Sequence, residues 1–101
     1  MKWHKKLYCG ASIDHEKWTK YQISFGKKSK GYYCITLSDN KENLMDIYES
    51  QFLRTTRLCI DDLYIIGIAG SKSEAYEVVR NIIEDVYIHT HGFDLKTFLE
   101  I

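Results

Sequence analysis

Gly67-Ile68-Ala69-Gly70-Ser71-Lys72-Ser73 stands where an apolar run gives way to a helical pattern. Such a passage gathers free backbone amides and the positive end of a helix, a combination that binds phosphate. The spacing is neither G-x-x-x-x-G-K-[ST] nor G-x-G-x-x-G. An ordinary tight turn explains the same residues, because Ser71 with Glu74 fits a capping box. Gly70, Ser71, Lys72 and Ser73 are thus the candidate anion or nucleotide site, with a capped turn as the more economical reading.

His89-Thr90-His91 with Asp94 offers two imidazoles and a carboxylate to a metal ion. Residues two apart on a helix, however, diverge by about 200° around its axis. Histidine near a helix C-terminus is also favoured by the dipole alone. No metal or other cofactor is assigned on this spacing. Asp61-Asp62 precede an apolar run, the wrong end for a site in a parallel sheet. Asp39 and Asn40 follow one, but helix capping accounts for them. No Ser–His–Asp set or carboxylate pair emerges, and the chain reads as a non-enzyme.

The three cysteines, Cys9, Cys34 and Cys59, form no C-x-x-C. Cys9 and Cys34 lie in strand-like runs, where a free cysteine is expected to be a buried structural thiol. Together with the lack of a secretory or membrane-spanning apolar segment, this points to a cytoplasmic protein.

Charge supplies the remaining signals. Residues 1–31 hold eight lysines against Asp14 and Glu16, and the rest of the chain is acidic by the same margin, so the net is zero. Lys17, Lys20, Lys27, Lys28 and Lys30 stand among Trp3, Trp18, Tyr21, Phe25, Tyr32 and Tyr33. Positive charge interleaved with stacking rings is the composition of a nucleic-acid binder, although no arginine is present there to read bases bidentately. Glu74, Glu77, Glu84 and Asp85 lie on the long C-terminal helical pattern. An acidic face of this kind suits a protein partner with a basic channel.

The elements that must position these groups follow from periodicity. Residues 7–13 alternate as a half-buried strand, and 32–37 and 63–69 are apolar runs suited to strands covered on both faces. Ser38-Asp39-Asn40 followed by Leu44, Ile47, Tyr48 and Phe52 predicts a helix between the last two runs, hence a parallel β-α-β unit. Ala75, Val78, Val79, Ile82, Ile83, Val86 and Tyr87 predict a helix ending near Gly92, with a last turn from Asp94 to Leu99 docking back. Residues 15–25 fit either a helix carrying Trp18, Tyr21 and Phe25 or a strand; the repeating pattern favours the helix. The expected fold is one small α/β domain over residues 1–101, two layers in the order β-α-β-α-β-α. Its sheet has three strands, or four with 21–25, packed by two or three helices.

The blocks 33–40 through 43–47, 67–75 and Gly92-Phe93-Asp94-Leu95 resemble a group of small uncharacterised proteins from conjugative elements of gut Gram-positive bacteria. The resemblance covers about the last two-thirds of the chain, and the N-terminal third departs from it. It carries over no functional residue. It implies a setting in which small accessory proteins, anti-CRISPR inhibitors among them, act on host defence. The expected function is therefore binding to a protein, most specifically a host nuclease, through Glu74, Glu77, Glu84 and Asp85. Nucleic-acid binding through the lysines and anion binding at Gly70–Ser73 are the alternatives. No membrane partner is expected.

Overall fold

The structure, a computed structural model, describes residues 2–25, 32–37, 45–50, 63–92 and 95–99. Strand β1 (Lys2–Cys9) leads to helix α1 (Glu16–Phe25). Strands β2 (Tyr33–Leu37), β3 (Met45–Glu49) and β4 (Tyr64–Ala69) follow, then helix α2 (Lys72–Thr90) and the short α3 (Leu95–Leu99). The strands form one mixed sheet in the order β1-β4-β2-β3. β1 runs parallel to β4, whereas β2 is antiparallel to both β4 and β3.

This corrects the β-α-β expectation. The two apolar runs are antiparallel neighbours, and Ile47 and Tyr48, expected on a helix, lie on β3. The pleat explains the misreading. Met45 and Ile47 face one side of the sheet and Tyr48 the other, so a five-residue strand with four half-buried positions satisfies either period. The capping residues Ser38, Asp39 and Asn40 fall outside the described residues. β1 also begins and ends earlier than its alternation predicts. Gly10 turns the chain, and the Ile13 amide donates to the Gly10 carbonyl at 3.0 Å.

Residues 16–25 form the helix, with a different inward face from the one expected. Thr19 and Ile23 are buried, whereas Trp18 and Tyr21 are exposed. Ile23 packs with Cys34, Ile65 and Ile68 on one side of the sheet. On the other side Ala75, Val78, Ile82 and Val86 of α2, with Leu95 and Leu99 of α3, cover Ile35, Ile66 and Ala69. Helices thus cover both faces, giving three layers instead of two. Each fully buried aliphatic side chain stabilises the fold by roughly 2 kcal/mol relative to exposure.

Two irregularities interrupt β4. Along β2 the register passes from Gly67 to Ile65, skipping Ile66. Ile66 packs into the α2-side cluster, and a Cβ on Gly67 would stand 2.9 Å from Val78 Cγ1. Two consecutive residues therefore face the same helix, the mark of a bulge, and the second has room for no side chain. Along β1, Trp3 pairs with Ile65 and Tyr8 with Gly67. Four residues of β1, His4 to Leu7, stand opposite the single residue Ile66.

Helix α2 is held at both ends. Ser71, extended at φ −153°, accepts at Oγ from the Glu74 amide at 3.2 Å. At the far end His91, not Gly92, takes the left-handed position at φ 56°, and its amide donates to the Tyr87 carbonyl. The last turn folds back as expected, burying Leu95 and Leu99 with Phe98 beside them.

Candidate functional site

The parallel strands β1 and β4 end together, and the turn after each meets the first turn of α2. Ser71 caps the helix, but the reciprocal half of the expected capping box is replaced. The Glu74 carboxylate reaches across to β1's turn, where Oε1 accepts from the Ser12 amide at 3.1 Å and the Ser12 hydroxyl at 2.9 Å. A Cβ at Gly10 would strike the Glu74 carboxylate, and one at Gly70 would strike Ser12 Oγ. The two glycines are what allow this corner to close. Gly70, Ser71, Lys72 and Ser73 therefore surround a helix end beside which an internal carboxylate sits, with Ser73 Oγ 3.3 Å from Ser71 Oγ. A second anion here would meet that negative charge at short range, which disfavours it.

The four acids of α2 divide into two pairs. Glu74 and Asp85 lean toward β1: Asp85 Oδ2 accepts from the Tyr8 hydroxyl at 2.7 Å. Burial, then the Asp85 hydrogen bond and charge, hold that phenol well above its ordinary value of 10.0. Glu77 and Glu84 are exposed, and Glu84 pairs with Arg80 at 3.3 Å. An exposed i,i+4 pair of this kind contributes about 0.3–0.5 kcal/mol.

Beside the outward acids lies a patch the sequence reading did not single out. Tyr76 and Tyr87 are each 55% exposed and Ile88 65%. Ile83, Glu84, Tyr87 and Ile88 line a shallow, mainly apolar groove of about 310 Å³. Tyr76, Ile83 and Tyr87 recur at intervals of seven and four, and Glu77, Glu84 and Ile88 form the adjacent row at the same intervals. That second periodicity was available in the sequence. It was obscured because Ile83 and Tyr87 also extend the core stripe.

Helix α1, on the opposite side of the sheet, is the basic counterpart. Trp18 and Tyr21 stack at 5.7 Å between centroids with planes 17° apart, and both are more than half exposed. Lys17 is exposed, while Lys20 Nζ lies 5.5 Å from the centroid of Trp3 in a cation–π contact. Lys27, Lys28 and Lys30 lie outside the described residues. With Lys2, Lys5 and Lys6 on β1, the described lysines of the N-terminal third share the β1 edge and the α1 side. Glu77 and Glu84 stand across the sheet from α1.

The thiols differ from expectation in one case. Cys34 is buried, and burial pushes its thiol up to about 12. Cys9 is exposed, contrary to its strand-like setting. Its sulfur turns toward Glu16, 3.4 Å from Oε1. Local desolvation and then that carboxylate raise it to about 11, with Lys20 opposing. A thiol so protonated is a poor nucleophile. Cys59, Asp61, Asp62 and Asp94 lie outside the described residues, among which no group of three or more His, Cys, Asp or Glu is placed to hold a metal. His89 Nδ1 donates to its own helix at the Asp85 carbonyl, 2.8 Å away. No helix among the described residues is long and apolar enough to cross a membrane.

Comparison of the chain with protein-family models, curated proteins and solved structures finds no match.

Proposed function

We propose that this chain is a non-enzymatic binding module that takes a protein partner on the outward face of α2. The observation that carries the reading is the exposure of Tyr76, Tyr87 and Ile88 beside Glu77 and Glu84 on one regular helix. An apolar and tyrosine-rich centre with a charged rim is the anatomy of a protein interface. The acids on the rim favour a partner whose groove is basic. The most specific form is an inhibitor seated in the nucleic-acid channel of a host-defence nuclease, the setting implied by the sequence resemblance. Glu74 and Asp85, engaged with Ser12 and Tyr8, serve the fold in this reading, and Glu77 and Glu84 serve the contact.

The test is capture by the tagged full chain from a Gram-positive host lysate treated with nuclease, repeated with Tyr87→Ser/Ile88→Ser and with Trp18→Ser. A stoichiometric protein retained by the wild type and by Trp18→Ser, but lost with the α2 variant, supports the reading. Equal capture by all three chains removes α2 from it.

The Trp18–Tyr21 stack favours one second reading, single-stranded nucleic acid bound on α1 with Lys17. Exposed rings beside lysine offer base stacking and phosphate contact together. Capture that vanishes on nuclease treatment and with Trp18→Ser would transfer the function to that face.

A further inference from the structure

The four residues of β1 that stand opposite one of β4, His4 to Leu7, line one side of a cleft of about 560 Å³. Its volume lies within the range of small-molecule sites. Strand bulges that open a sheet edge are a recurrent way of aiming side chains at a ligand.

The lining is chemically divided. His4, Lys5 and Lys6 come from the slipped segment, and His89 enters from the last turns of α2. Neither Lys5 nor Lys6 has a carboxylate within ion-pairing distance among the described residues, and both are exposed. The His4 ring is oriented by the Tyr64 hydroxyl at 2.9 Å from Nδ1. His89 is held through Nδ1, leaving Nε2 as its remaining polar atom. The opposite character comes from Tyr64 and Phe98. Phe98 packs at a tilt against the His89 ring, 5.3 Å between centroids. Glu16, whose Oε1 accepts from the Cys9 thiol, also lines the cleft and supplies an acceptor.

We infer that this cleft binds a small aromatic phosphomonoester of the mononucleotide class. The phosphate is recognised by Lys5, Lys6 and His4, and the ring lies against Phe98 and Tyr64. Glu16 accepts from a hydroxyl or amino group of the ligand. Lysine and imidazole together favour a dianion, because charge-assisted hydrogen bonds are the strong ones. The aromatic wall distinguishes a nucleotide from a free phosphate ion, since ring stacking adds about 1–3 kcal/mol per base. This site is separate from the Gly70–Ser73 corner, which Glu74 closes, and from the α2 face.

Calorimetry of the full chain at low ionic strength tests the assignment with adenosine monophosphate, adenosine and inorganic phosphate as probes. Adenosine monophosphate is expected to bind at least about tenfold more tightly than either half of the molecule, the factor that 1.4 kcal/mol represents. Lys5→Ala/Lys6→Ala should weaken the nucleotide by about tenfold or more, the loss of one charge-assisted hydrogen bond. It should leave adenosine unchanged. Arg80→Ala, on α2 and outside the cleft lining, should change neither. Lys5, Lys6 and Arg80 are exposed, and unchanged circular dichroism of the variants confirms that folding is retained. Absence of heat with millimolar nucleotide would overturn the proposal. So would phosphate binding as tightly as the nucleotide, or Arg80→Ala weakening binding as much as the Lys5/Lys6 variant.

Discussion

On one side of the sheet, α2 and α3 bury a continuous aliphatic layer running from Ile35 and Ile66 to Leu95 and Leu99. On the other, the ten-residue α1 contributes Ile23 to a smaller cluster with Cys34, Ile65 and Ile68. The long helix is also fixed at both ends and tied to β1 by the Glu74–Ser12 and Asp85–Tyr8 hydrogen bonds. Yet both helices present aromatic rings to solvent. The α2 side therefore combines the main share of stability with an outward surface that is free to be apolar. The α1 side combines a thin layer with positive charge. A helix anchored this firmly can carry exposed tyrosines and isoleucine without the fold depending on them.

The sharpest way to break this comparison is to cut the same side chain on each face. Ile82→Ala is expected to cost about 4 kcal/mol, and Ile23→Ala about 2 kcal/mol, within the range for aliphatic truncation. Urea unfolding measures both, and equal costs would show that the two layers contribute alike. A smaller effect is expected at the start of α2. Ser71→Ala should lose about 1 kcal/mol and Ser71→Asp should restore most of it, because either oxygen accepts from the Glu74 amide. The smallest lies at Tyr8. Its phenol is held above 10.0 in the folded chain, so the native state keeps a proton that the unfolded state releases. That contribution is complete below pH 10 and is lost as the pH rises toward the folded value. Tyr8→Phe should therefore flatten the alkaline fall in stability, and an unchanged slope would detach Tyr8 from it.

Legibility followed the same division. The α2 stripe, its Ser71 cap and the apolar runs of β2 and β4 could be read because long or wholly apolar patterns admit one period. β3 could not, since Met45, Ile47 and Tyr48 in a five-residue segment fit a helix as well as a pleat. Strand direction was hidden for a different reason. β2 is covered by helices on both faces, which gives an antiparallel strand the composition of a parallel one. The candidate surfaces were partly visible as residue types. Lys17, Lys20, Glu77 and Glu84 are where the charge pattern led. The inward turn of Glu74 and Asp85 depends on Ser12 and Tyr8, more than sixty residues away in the chain. The exposure of Trp18 and Tyr21 depends on Ile23 and Thr19 taking the inward face of α1. The cleft lies beside a register slip that leaves no trace in hydropathy.

The pairing of Lys2 with Tyr64 has a consequence for how the molecule is made. Of the four described strands β1 is synthesised first, and β4, its neighbour among them, is synthesised about sixty residues later. At roughly 5–20 residues per second, the N-terminal strand waits several seconds for that neighbour. The antiparallel β2–β3 pair is complete well before then. The connection from β2 to β4 is shorter than the one from β1 to β4, so loop-closure entropy favours the β2–β4 pairing ahead of the docking of β1.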